Sequence, residues 1–297
     1  MAHKTLINGT SYEISGGRTL VNGTGYSIDK GKTLVSGTAY EVGFVSIQPS
    51  EYLTFSSNST IALSVASPNW DGTMYYSTDA TKWKKWDGGE ISANIIYLCG
   101  VGNTKVTGNA SSYEWTLTGT GISCNGNIET LLDYATVEAG GHPPMANSCY
   151  SYMFSGCTGL TSAPSLPATT LADSCYRSMF SGCTELTSAP SLPATTLANY
   201  CYRSMFSGCT ELTSAPSLPA TTLQKNCYQY MFSECTKIKL SSSQTGAYTK
   251  DYRIPHSGTG TTASSALSNM FKNTGGTFTG TPSINKTYYL DSSNTIV

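Results

Sequence analysis

Ten cysteines are the residues of this chain best equipped for chemistry, at positions 99, 124, 149, 157, 175, 183, 201, 209, 227 and 235. Thiols at fixed spacing can ligate zinc, attack a substrate or form disulfides. Zinc needs Cys-x-x-Cys pairs or well-spaced histidines, and His3, His142 and His256 have no ligand-like spacing. Nucleophilic catalysis needs a partnering base, and no Gly-x-Ser-x-Gly, His-Glu-x-x-His, phosphate-loop or Cys/His constellation is present. Asp71, Asp79 and Asp87 lie in turn-like contexts. Glu185 and Glu211 recur at one position of a repeat, which makes a surface row and not an acid–base pair. No catalytic residue, metal or cofactor is expected.

The last eight cysteines mark two positions of a 26-residue phrase, copied at Cys149–Ser174, Cys175–Tyr200 and Cys201–Asn226, with a worn fourth copy from Cys227. Self-similarity at this period predicts a solenoid in which each coil buries its apolar side only against its neighbours. Within Cys175–Cys183, CYRSMFSGC, apolar residues fall at offsets 0, 1, 4, 5 and 8. That spacing predicts a short helix with one buried face, ending near Gly182. The remainder, TELTSAPSLPATTL, contains Pro190 and Pro193, which force extended backbone. Each coil is expected to have one helical and one extended side. On a helix, offsets 0 and 8 lie about 12 Å apart, too far for a disulfide's Cα separation of roughly 4.4–6.8 Å. Pairing between coils and a ladder of buried free thiols both stay open.

Three segments follow from the rest of the chain. Residues 1–44 repeat every 14 residues: KTLINGTSYEISGG, RTLVNGTGYSIDKG and KTLVSGTAYEVGF. Asn8-Gly9 and Asn22-Gly23 are hairpin turns, a better account of Asn-Gly-Thr than glycosylation. Leu6, Tyr12, Ile14, Leu20, Tyr26, Ile28, Leu34, Tyr40 and Val42 are read as one apolar face of a β-meander. So small a core needs cover from another subunit or a particle surface. Residues 45–123 alternate apolar and polar in short runs, which predicts an immunoglobulin-like β-sandwich. Its Trp83 and Trp86 are either core or an exposed aromatic platform for sugars. Residues 124–297 hold the solenoid, an entry cap with a helix near Ile128–Tyr134, a degraded last coil at ALSNMFKNT and a closing strand pair. The whole reads as a β-rich multidomain protein.

Charged residues make up only 12% of the 297, and the net charge is −1. No basic run points to nucleic acid, and no run of about 18 apolar residues points to a membrane span. The start shows no secretory signal, so a virion component, assembled in the host cytoplasm and released, is the expected location.

The phrase MF-x-x-C-T-x-L-T-x-A-P-x-L-P resembles the BspA-type leucine-rich repeats of bacterial surface proteins and of gut bacteriophage proteins, over roughly 127–238. The KTL-[IV]-NGT-x-Y repeats are similar to short repeats at the start of phage virion proteins. The resemblance implies a fibre or capsid-decoration protein that adheres to host or mucosal surfaces, and it brings no catalytic residues. A bacterial adhesin and a purely structural virion subunit are the alternatives. Expected partners are other virion proteins through the N-terminal repeats, further copies of the chain (a trimer being favoured), and a surface glycan or protein. Positions that vary between copies include Tyr152, Arg177, Glu185, Asn199, Tyr200, Arg203, Glu211 and Tyr230, the candidate receptor face.

Overall fold

The computed structural model describes residues 51–108 and 115–297, and the backbone of four short strands before them. It is β-rich, with one α-helix among the described residues. β1 (His3–Ile7) pairs antiparallel with β2 (Thr10–Ile14), and β3 (Arg18–Val21) with β4 (Thr24–Ser27), each pair across a two-residue connection. Among the described residues each hairpin forms a two-stranded sheet. The register sets Leu6 against Ser11 and Tyr12 against Thr5. The expected apolar face rests on the side chains of Leu6, Tyr12, Ile14, Leu20 and Tyr26 in these strands and on Ile28, Leu34, Tyr40 and Val42, all of which lie outside the described residues.

Residues 51–125 build a six-stranded antiparallel sheet. Its long strands are β5 (Leu53–Val65) and β8 (Ile91–Val101), paired from Leu53 against Leu98 to Leu63 against Ile91. β6 (Thr73–Ser77) follows on β8, and β7 (Lys84–Trp86) on β6. The other edge of β5 is shared by β10 (Ser123–Asn125) and β9 (Trp115–Thr118). A sandwich requires two facing sheets, and these strands make one. The alternation Leu53, Phe55, Ile61, Leu63, Val65 is buried as its period-two pattern dictates. What covers it includes the first repeat copy: Phe55 meets the edge of Phe154 with ring centroids 5.8 Å apart. One continuous core therefore runs across the boundary at 123/124, which falls inside β10. Helix α1 (Thr130–Glu138) packs on β8, where a Cβ on Gly100 would sit 1.7 Å from the Leu131 carbonyl oxygen. Only glycine permits that approach.

The segment expected to be helical is not a helix. Around the second copy φ is positive at Ser174 (58°), just before it, and at Ser178 (51°) and Gly182 (75°) within it, every fourth residue. The first copy repeats this at Ser148, just before it, and at Tyr152 and Gly156, and the third at Tyr200, just before it, and at Ser204 and Gly208. Between these points the chain closes tight turns: Met179 N–H donates to Tyr176 (3.3 Å), Ser181 to Ser178 (3.1 Å) and Cys183 to Phe180 (3.1 Å). The alternate amides leave the copy altogether. Tyr176 donates to the Cys201 carbonyl (2.9 Å), Ser178 to Arg203 (2.8 Å), Phe180 to Met205 (2.9 Å) and Gly182 to Ser207 (2.7 Å). The same four-rung ladder joins copy one to two and three to four. CYRSMFSGC has two apolar residues, two polar, two apolar, two polar: a period of four. Over nine residues that differs little from the helical 3.6, so the apolar positions alone do not separate the two. The left-handed residue closing each group of four does.

The last copy closes one end of the ladder in part. The worn last copy, Ala266–Thr274, accepts from Tyr228 (2.9 Å), Phe232 (2.9 Å) and Glu234 (2.8 Å). Its own Phe271 amide goes to Gly280 (2.9 Å), and its Asn269 amide to the Thr281 hydroxyl (2.8 Å). A sheet of β13 (Leu240–Ser241), β16 (Thr287–Asp291) and β14 (Tyr248–Arg253) covers this end, and Tyr252 sets its ring edge-on to Phe271. The closing segment is not a strand pair. β16 joins that sheet, while β17 (Thr295–Ile296) pairs parallel with β11 (Ser214–Ala215) of the third copy. Fully buried Asn294 fixes this arrangement, donating to Thr213 (3.0 Å) and Lys237 (2.8 Å) and accepting from the Lys239 amide (2.9 Å).

Gly182 discriminates the two backbones directly. In a helix, Gly182→Ala stabilises by about 1 kcal/mol; in the left-handed position seen here it destabilises by about 1–2 kcal/mol. Urea denaturation of the variant is expected to show the loss.

Candidate functional site

Each copy turns one set of side chains inward, and the copies place like on like. Tyr150, Tyr176, Tyr202 and Tyr228 stack with ring centroids 5.5, 5.7 and 5.8 Å apart. Phe154, Phe180, Phe206, Phe232 and Phe271 form a second column at 5.4–5.7 Å. All eight repeat cysteines are buried free thiols. The Cys183 thiol donates to the Phe154 carbonyl, Cys209 to Phe180 and Cys235 to Phe206, at 3.0–3.1 Å. Burial pushes the thiols of Cys157, Cys209 and Cys227 up to about 12. Burial thus disfavours the thiolate, the nucleophilic form. Among the described residues, no three histidines, cysteines or carboxylates group as a metal site.

The outward side chains at the polar positions form a different surface. The Arg177 guanidinium lies 5.4 Å from the centre of the Tyr152 ring, one copy before it. Tyr200 is flanked by two cations, Arg203 at 5.8 Å and Lys225 at 5.9 Å. Tyr230 continues the position of Tyr152 in the fourth copy and accepts from Asn269 (3.3 Å). Of the candidate receptor residues, the structure thus brings Tyr152 to Arg177 and Tyr200 to Arg203, and sets Tyr230 further along the same strip. Lys225 was not singled out from the sequence, although its position varies between copies (Asp173, Asn199, Lys225). Among the described residues Arg177, Arg203 and Lys225 make no ion pair. The nearby acid Asp173 accepts the Asn199 amide at 2.9 Å.

Glu185 and Glu211 are not part of the strip. They lie past the second cysteine of their copies, and Glu211 pairs with Lys237 of the next. The aromatic platform is overturned: Trp83 and Trp86 are each only 2% exposed. Trp86 stacks on Trp70 at 5.4 Å, meets Trp115 edge-on and donates its indole N–H to Gly89 (2.7 Å). Trp83 packs on Tyr52 beneath α1. Their spacing of three residues puts them on opposite faces of a pleated strand, and both faces are covered. Asp71, Asp79 and Asp87 hold loop amides. Asp79 takes those of Thr81 (2.9 Å) and Lys82 (2.8 Å), Asp71 that of Thr104 (2.8 Å) and Asp87 that of Gly89 (3.0 Å).

One buried carboxylate departs from this pattern. Glu129, at the junction of sheet and repeats, is 1% exposed, and its Oε2 lies 2.7 Å from His142 Nδ1. Its Oε1 is buried with no hydrogen-bond partner. Burial pushes its carboxyl above the ordinary value, against the pull of His142.

Comparison with family models, with curated proteins and with solved structures yields no match to the chain. Among the described residues no helix is long and apolar enough to cross a membrane.

A folded-state carboxyl raised above its unfolded value binds protons more tightly when folded, so stability falls as pH rises through that interval. For Glu129 the interval opens at 4.5 and extends upward. Thermal melts of wild type and Glu129→Gln from pH 4 to 8 are expected to diverge, with the wild type losing stability relative to the variant as pH rises. Parallel curves would contradict the assignment.

Proposed function

We propose that this chain is a non-enzymatic display protein of a bacteriophage virion, a fibre or capsid decoration, whose BspA-type leucine-rich repeat solenoid adheres to bacterial or mucosal surfaces. The observation that carries this reading is the division of labour within each copy. The inward positions repeat tyrosine, phenylalanine, methionine, cysteine, leucine and alanine in register. The residues that vary between copies, such as Arg177, Arg203 and Tyr200, stand on the outside. A surface whose side chains change while its backbone is fixed suits recognition of an extended partner.

The N-terminal hairpins, with their short two-residue turns, are the attachment segment in this reading. Their small apolar content needs cover from a neighbouring subunit. Homotrimerisation provides such cover through symmetry. The location that follows is the virion surface.

Deletion of residues 1–43 is expected to abolish incorporation into particles while leaving the melting transition of the remaining chain in place. Particles that still carry the truncated chain would overturn the attachment role.

A further inference from the structure

The strip of outward cations and tyrosines carries an inference that rests on the display reading and names its ligand class. Three cations, Arg177, Arg203 and Lys225, project from adjacent copies. Successive copies stack their tyrosine rings 5.5–5.8 Å apart, and Arg177 and Arg203 hold the same position of two successive copies. None is neutralised by a carboxylate among the described residues, whose two ion pairs lie elsewhere. They are held instead over tyrosine rings, contacts that orient a cation without cancelling its charge. In a chain whose net charge is −1 and in which only 12% of residues are charged, this is a local positive line. An anion laid along it would neutralise these unpaired charges.

The geometry narrows the anion further. The strip has no walls, so the ligand must be extended. Its charges must recur along its length to meet Arg177 and Arg203 of two successive copies and Lys225 beside them. A peptide added as a strand is excluded, because the backbone amides here are spent: Tyr152 donates to Arg177, Ser178 to Arg203 and Ser204 to Gln229, leaving no free edge for strand addition. Recognition must run through guanidinium forks, an ammonium and phenol hydroxyls. Forks suit carboxylate and sulfate oxygens, and phenols suit sugar hydroxyls and ring faces. We propose that the strip formed by Tyr152, Arg177, Tyr200, Arg203 and Lys225 binds an anionic polysaccharide, lying along the stacking direction with its acid groups on the arginines.

The test uses the full chain on surfaces bearing heparin, polygalacturonate or neutral dextran, with duplex DNA and polyglutamate as further probes. Wild type is expected to bind heparin or polygalacturonate; binding of polygalacturonate shows that carboxylate suffices, and binding of heparin alone shows that sulfate is required. Binding should weaken with added salt, and dextran should not bind. Arg177→Gln with Arg203→Gln should weaken binding by about tenfold or more, the loss expected for two charge-assisted contacts, with an unchanged melting temperature. Lys84→Ala with Lys85→Ala removes the same charge from the exposed strand β7, and should leave binding within about twofold, since screening limits distant charges. Absence of binding to both polyanionic sugars overturns the proposal. So does an equal loss in the β7 variant, or binding of DNA or polyglutamate as tight as that of the sugars. None of these outcomes bears on attachment through residues 1–43, so the two readings fail separately.

Discussion

The structure depends on a ladder of backbone hydrogen bonds that alternates between two destinations. Within CYRSMFSGC every second amide closes a turn in its own copy, and every other one reaches a carbonyl of the next. No amide of the segment is left to water or to a partner, as a buried backbone requires. The alternation is possible only because each group of four ends in a left-handed residue. Glycine supplies it cheaply at Gly156, Gly182 and Gly208; serine, tyrosine and asparagine bear a cost elsewhere. That cost is offset by the ladder and by columns of stacked rings, each aromatic pair adding about 0.5–1.5 kcal/mol beyond its buried area.

This constraint separates the inside of the stack from its outside. Inward positions are locked in register, so a tyrosine must meet a tyrosine and a cysteine must meet a carbonyl. The thiols are consequently a structural filling, each held protonated by burial. Outward positions carry no such demand, and there Arg177, Tyr200 and Lys225 stand where neighbouring copies have serine, asparagine or aspartate. The caps matter as much as the ladder. The six-stranded sheet at one end and the β13–β16–β14 sheet at the other cover the stack, and Gly280 and Thr281 take two amides of the last copy that would otherwise be offered to an incoming stack.

Much of this was legible in the sequence. The 26-residue copies, their inward residues, the worn final copy and the short α1 all follow from spacing and composition. The helical reading of CYRSMFSGC failed because nine residues are too few to separate a period of four from 3.6. The recurrence of Gly182 and its equivalents at the fourth position was the available signal. The two-sheet sandwich failed for a different reason. Alternation in β5 reports that one face is buried, and it does not report what buries it; here the cover includes Phe154 of the first copy. Trp83 and Trp86 follow the same rule, being buried by covers that lie far away in sequence. The Arg–Tyr strip was half visible, since variation marked Tyr152, Arg177 and Arg203, while the pairing of Lys225 with Tyr200 needs the fold.

Amide hydrogen exchange of the native chain tests the central claim most directly. The amides of Tyr176, Ser178, Phe180 and Gly182 are expected to be as strongly protected as those of Met179, Ser181 and Cys183, exchanging only with global unfolding. Protection of the second set with rapid exchange of the first would mean that each copy closes its turns alone, and that no ladder joins it to the next.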